Sequence, residues 1–234
     1  NDVEEIRDDN NNEDDENENE VLERTIIQSK LTPKDIEKYV KSLKSAAVHW
    51  YNTYNPDIST DEGLWTNKLN RIGMMYFRPL ITASYLAPKI TSNDRVKMLK
   101  AIERFIFLAF RMSRAFSTYR NSEFYRLART LRSGKTTSDR IIEIIDERLE
   151  WTHFQDDPTQ FDYEHFTKYL AKKFQSSYGF YNWNGLRYLL YEYEYHLQQN
   201  FGIVKIEPKD FFVKHPKDKV SIEHVFPQTP TDPY

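Results

Sequence analysis

No cysteine occurs in the 234 residues. That excludes disulfides, thiolate metal centres and a cysteine nucleophile, and it accords with a reducing, cytoplasmic setting. No run of about 18 apolar residues occurs, so no membrane-spanning helix is expected, and no basic-then-apolar secretion signal opens the chain. The six histidines, His49, His153, His165, His196, His215 and His224, show no zinc-site spacing. Neither a nucleophile elbow nor a dinucleotide fingerprint is present. Ser133-Gly134-Lys135-Thr136 looks like the end of a phosphate loop, but Arg129 stands where the first glycine belongs. A helical pattern, not a strand, precedes it, so Gly134 reads as a helix stop. No internal repeat is visible.

The charge is unevenly spread. Residues 1–20 hold 11 acidic residues and a single arginine, with almost nothing apolar. Such a stretch buries too little surface to offset the entropy of ordering, so it reads as a disordered acidic tail or linker. A second reading is an acidic arm that mimics DNA and shields a basic site. Without these residues the chain has 32 basic and 25 acidic side chains, a net of +7 against −3 overall. A mildly basic folded part permits a polyanionic partner but does not require one. The chain opens on Asn1 rather than Met, which reads as an excised or renumbered piece of a longer protein.

From Val21 the pattern turns helical. Thr32-Pro33-Lys34-Asp35 is a helix start, followed by Ile36, Tyr39, Val40, Leu43, Ala47 and Trp50 at helical spacing, with a stop at Asn55-Pro56. A second helix is expected over about 60–71. A third, buried nearly all round, covers Met74–Leu86, with Pro79 in its first turn or at a kink. Ser92-Asn93-Asp94 is expected to cap a long helix over roughly 93–119. Shorter helices follow near 122–132 and over 139–151, the latter capped at Thr137 or Ser138, then over about 163–176 behind Asp162. The last covers Asn184–Asn200 and ends at Gly202.

Two surfaces invite a functional reading. Arg95, Lys97, Lys100, Arg104, Arg111, Arg114, Arg120, Arg126, Arg129 and Arg132 can track phosphates or form an ordinary solvated face. Tyr188, Tyr191 and Tyr195 can stack on bases or pack helices with their hydroxyls at the wet edge. The apolar stripe of that last helix is expected at Leu186, Leu189, Leu190, Tyr193 and Leu197.

After Gly202 the character changes. Ile203–Ile206 and Lys219–Ile222 are short, β-branched and bounded by prolines, as strands are. The second runs into Glu223-His224-Val225-Phe226-Pro227-Gln228. An imidazole that titrates near neutral pH can take a proton from water. A neighbouring carboxylate can hold Mg²⁺ or Mn²⁺ to neutralise phosphate oxygens. Adjacent strand residues point to opposite faces, so the pair converges only where the strand ends, and Pro227 suits that ending. The plain alternative is a surface Glu-His at a proline turn.

This segment resembles the first half of an HNH, or His-metal finger, nuclease motif. With Arg187–Glu194 on a helix some thirty residues before it, the order resembles the C-terminal region of GmrSD-type restriction endonucleases. These phage-defence proteins join a ParB-like nucleotide-hydrolysing domain to a helical region and an HNH nuclease. The resemblance covers most of residues 21–234 and is most specific at 187–194 and 222–228. It implies a mainly α fold: a disordered linker over 1–20, a helical domain over 21–200, and over 201–234 the first β-strand segments of a ββα-metal module. It further implies His224 as general base and Glu223 as metal-holding acid, where Asp is usual in the family. A divalent metal, Mg²⁺ or Mn²⁺, is the implied cofactor, and nucleotide enters only through the ParB-like domain. Foreign or modified DNA is the implied substrate, and the ParB-like domain or subunit the implied partner. The family's later Asn and final His or Asn find no match before Tyr234, so a chain ending there is expected to lack nuclease activity. The competing reading is a non-catalytic helical scaffold that binds a partner.

Overall fold

Apolar residues recurring three and four apart, punctuated by capping residues, dictate most of the helices of this chain. A computed structural model describes residues 3–6, 26–29, 32–112, 117–149, 163–175, 183–203, 205–206 and 212. The chain divides into two units, Asn1–Ala47 and Val48–Tyr234.

In the first unit, β1 (Val3–Ile6) pairs antiparallel with β2 (Ile26–Ser29), with Val3 opposite Ser29 and Ile6 opposite Ile26. β1 lies within the acidic segment expected to be disordered. Val3, Ile6, Ile26 and Ile27 are β-branched residues that suit a ladder, although two strands alone are marginally stable in water. Residues 7–25, most of that acidic segment, lie outside the described residues. The first helix, α1 (Pro33–Tyr54), starts here and continues into the second unit. The Thr32 hydroxyl accepts the Asp35 amide (3.3 Å) and Asp35 Oδ2 accepts the Thr32 amide (3.0 Å), a reciprocal cap. The helix start expected at Thr32-Pro33 is thus where α1 begins. Its apolar stripe is uncovered: Ile36, Tyr39, Val40 and Leu43 are each more than half exposed.

The second unit contains α2 (Asp61–Ile72), α3 (Arg78–Leu86), α4 (Ser92–Phe105), α5 (Asn121–Arg132), α6 (Ser138–Glu147), α7 (Tyr163–Lys173) and α8 (Leu186–Asn200). α2 and α6 pack on α4, and α3 packs on α5. The core joins these helices through Phe77, Phe105 and Phe124, whose ring centroids lie 4.7 to 5.6 Å apart. All three are fully buried, each adding about 1.5–3 kcal/mol relative to exposure.

Several boundaries differ from expectation: α3 begins at Arg78 rather than Met74, although Pro79 takes one of its two expected places. Pro79 occupies the first turn of α3, where its missing N–H is no loss, so it starts the helix and kinks nothing. α4 is capped by Thr91, whose hydroxyl accepts the Asp94 amide (3.2 Å), rather than by Ser92-Asn93-Asp94. The helix expected over 93–119 is α-helical only to Phe105 and then becomes π-helical over Ile106–Met112. The last carbonyls of a helical segment have no partner within it and are satisfied from outside. The Trp183 indole N–H donates to the Arg111 carbonyl (2.7 Å) and the Tyr169 hydroxyl to the Met112 carbonyl (2.5 Å). The apolar pattern hides this change, because Ile106, Leu108, Ala109, Phe110 and Met112 are buried without an α-helical period. Gly134 and Gly202, both at φ +70°, end α5 and α8 as expected.

Among the described residues no helix is long and apolar enough to cross a membrane. Ile203, Lys205 and Ile206 lie outside any strand, and the amides of Lys205 and Ile206 donate to Gln198 Oε1 (2.7 and 3.1 Å). The strand-like piece at 219–222, and almost all of the module expected over 201–234, falls outside the described residues.

Candidate nucleic-acid interface

Glu223 and His224, with Pro227 and Gln228, lie outside the described residues. The other segment that carries the resemblance, Arg187–Glu194, is on α8, held to the second unit by polar contacts. Glu192 accepts Arg71 Nη2 (2.6 Å) and Nε (3.2 Å) through Oε1, and pairs with Lys68 Nζ (3.2 Å) through Oε2. Arg71 also lies over the Tyr191 ring, 4.9 Å from its centroid. The Tyr188 hydroxyl donates to the Glu103 carboxylate on α4. Burial first, and then the charge of Glu103, push the Tyr188 pKa far up, so this hydroxyl stays a donor.

These contacts decide between base stacking and packing for the tyrosines. Tyr188 and Tyr191 are buried, and Tyr191 stacks on Tyr195 at 6.2 Å. Neither buried ring is free to stack on a base. The buried edge of α8 is therefore Tyr188 and Tyr191. Leu189, Leu190 and Tyr193, expected in the apolar stripe, are exposed. The reason is local chemistry: carboxylates and guanidinium groups on α2 and α4 satisfy the tyrosine edge.

The basic side chains fall into distinct groups. Arg95 donates to Glu62 (2.6 Å) and to the Ile90 carbonyl (3.0 Å) and lies over Tyr85. Arg104 pairs with Asp146. Arg111 reaches the Ile72 carbonyl beneath Gly73, where a Cβ would come within 2.7 Å of its Nη2. Burial lowers the Arg111 pKa. Lys100 lies over Trp65. Arg120 approaches Glu123 at 4.0 Å. Arg114 lies outside the described residues.

Arg126, Arg129 and Arg132 differ from these. All three are exposed on α5, and among the described residues none has an ion-pair partner. Glu123, the acid on α5, is committed to Arg148 (2.7 and 3.0 Å). The partly exposed Tyr125 lies beside them, and the exposed Lys135 follows Gly134. Positions 126 to 132 span about 9 Å of helix, and duplex DNA carries a phosphate charge about every 1.7 Å along its axis. A ridge of unpaired guanidinium groups can therefore meet several phosphates at once. Lys135 and Tyr125 fall outside the arginine set that the sequence suggests. A signal for the ridge is present there: no acid stands three or four residues from Arg129 or Arg132.

Among the described residues no group of three or more His, Asp or Glu side chains is arranged to hold a metal ion. No protein-family model, curated protein or solved structure matches the chain.

Proposed function

We propose that this chain is the helical region and the beginning of the HNH module of a DNA endonuclease of the GmrSD type, acting in defence against foreign DNA. The Glu223-His224-Val225-Phe226-Pro227-Gln228 motif, placed after the α8 segment, carries this reading. The unpaired arginines of α5 support a DNA partner. In this proposal His224 is the general base for water. Glu223 is the acid toward Mg²⁺ or Mn²⁺, and the metal would supply charge neutralisation at the phosphate. Nucleotide dependence would come through a ParB-like domain or subunit.

Plasmid cleavage by the complete gene product, in Mg²⁺ or Mn²⁺ and with modified and unmodified DNA, tests the assignment. Cleavage by the wild type and its loss in His224→Ala is the expected result. Equal cleavage by both proteins sinks it.

A second reading, a non-catalytic scaffold that binds a partner, is favoured by α1. Ile36, Tyr39, Val40 and Leu43 recur along the helix, yet all are more than half exposed. A contiguous exposed apolar row is a feature that interaction sites use.

A further inference from the structure

The apolar row of α1 has the spacing of a heptad. Ile36, Val40, Leu43, Ala47, Trp50 and Tyr54 follow one another four and three apart without a break. In a heptad abcdefg, Ile36, Leu43 and Trp50 fall at d, and Val40, Ala47 and Tyr54 at a. Such a row is the seam by which one helix meets another of the same repeat. Ile36, Val40 and Leu43 are each more than half exposed, and Ala47 is exposed as well.

The contacts that α1 makes elsewhere leave this row open. His49 stacks on Tyr85, with ring centroids 5.1 Å apart, and Thr53 is buried. With Ser42 and Ala46 they form the less exposed side of the helix, about 100° around its axis from the a/d row. Beside the row, at e positions, stand the exposed Glu37 and Lys44. Glu37 pairs with Lys41 along its own helix (2.6 Å), and Lys44 has no ion pair among the described residues. This face is complementary to itself when turned end for end. An antiparallel copy centred between Val40 and Leu43 sets Ile36 opposite Ala47 and Val40 opposite Leu43, a larger side chain against a smaller one in every layer. It also sets Glu37 of each copy beside Lys44 of the other. Sliding the pair by one heptad would bring Lys44 against Lys44, or Glu37 against Glu37, and like charges repel. A parallel pair would put Ala47 against Ala47, an underfilled layer, and would give Lys44 no acid.

We propose that this face of α1 binds a second copy of the chain, as an antiparallel helix pair about a twofold axis between Val40 and Leu43. The same patch is used on both sides, so the assembly closes at two copies. The proposal is independent of the nuclease reading. It rests on the scaffold reading only in taking α1 as an interaction surface, since a partner of another kind would leave the chain by itself monomeric.

The test is sedimentation equilibrium of the whole chain from low to high micromolar concentration. A reversible rise from the 28.1 kDa of one chain towards twice that mass is expected. Leu43→Lys should weaken the association by about a hundredfold, because each pair would then bury two ammonium groups. Val48→Lys, as exposed as Leu43 but off the row, should leave it unchanged. Glu37→Lys should weaken it about tenfold by turning two unlike pairs into like ones, and adding Lys44→Glu should restore it. Positions 37 and 44 lie about two turns apart on one helix, so that rescue reports a contact between copies. Thermal melts at the lowest concentration, coinciding with the wild type, show that the variants keep the fold. A wild type that stays monomeric throughout overturns the proposal. If Leu43→Lys then lowers the melting temperature, the row is covered by another segment of the same chain, and if it does not, the row is left to a partner of another kind. Equal weakening by Val48→Lys overturns the proposal as unspecific association, and failure of Lys44→Glu to rescue overturns the antiparallel pair.

Discussion

Glu123 shows how much a single side chain is asked to do. It accepts two hydrogen bonds from Arg148 (2.7 and 3.0 Å), joining α5 to the end of α6. Those bonds, against a smaller opposing effect of burial, hold its carboxyl below the ordinary glutamate range. Its folded-state pKa is thus lower than its unfolded one. The stability it adds is fully present above the ordinary glutamate pKa and is lost as pH falls through the folded value. Glu123→Gln is expected to cost about 1 kcal/mol near neutral pH, where a partly exposed bidentate pair is worth that much. Urea midpoints of the variant and wild type should differ at pH 7 and draw together towards pH 3. A gap that stays constant across that range would mean the ionised pair contributes nothing. Both oxygens of this residue are bonded to Arg148, and neither accepts a hydrogen bond from Arg126, Arg129 or Arg132 among the described residues.

Among the elements, α1 and α5 are the two whose sequence and surroundings disagree most. α1 has a proper start and an apolar stripe, but the stripe is not buried. Toward its C-terminal end Thr53 is buried and clamped. Arg78 donates to its carbonyl (2.9 Å) and hydroxyl (2.8 Å), and Asn70 to the same carbonyl (2.9 Å). Stability is therefore expected to depend on Thr53 and not on the exposed stripe. Tyr39→Lys with Leu43→Lys should shift stability by no more than about 0.5 kcal/mol, as surface changes do. If α1 docks a partner, the same pair should abolish that binding by the partner domain in a pull-down or titration. A large loss of thermal stability would instead show that the stripe is part of the core. In α5, by contrast, the apolar face is spent on the core through Phe124, Ala128 and Leu131, and the opposite face is basic.

For the molecule as a whole, the question is whether the helical region touches nucleic acid. A net of +7 outside the acidic segment permits this, and the α5 ridge gives it a location. Replacing Arg126, Arg129 and Arg132 together by Gln should weaken duplex binding without regard to sequence. It should also reduce the magnitude of the slope of log K against log salt by about 3, roughly one for each phosphate no longer neutralised. Fluorescence anisotropy over a series of salt concentrations measures it. An unchanged slope would remove α5 from the interface and leave any DNA affinity to the segment that carries Glu223 and His224.

Local chemistry made most helices of this protein legible. The Thr32-Pro33 start, the Asn55-Pro56 stop, Pro79 in a first turn, Thr137 as a cap and the glycine stops at 134 and 202 act within a few residues. The stretch from Glu223 to Gln228 is likewise a property of sequence, and the nuclease proposal still rests on it. Tertiary contact decided what periodicity does not encode. It followed α4 with a π-helix, whose last carbonyls, of Arg111 and Met112, accept Trp183 and Tyr169. It buried Tyr188 and Tyr191 in preference to Leu189 and Leu190, because Glu103 and Arg71 were there to meet them. Arg95 and Arg104 found carboxylates 33 and 42 residues away, while Arg126, Arg129 and Arg132 found none among the described residues. A charge's role depends on which distant acid the fold brings within about 4 Å, and no local pattern specifies that distance.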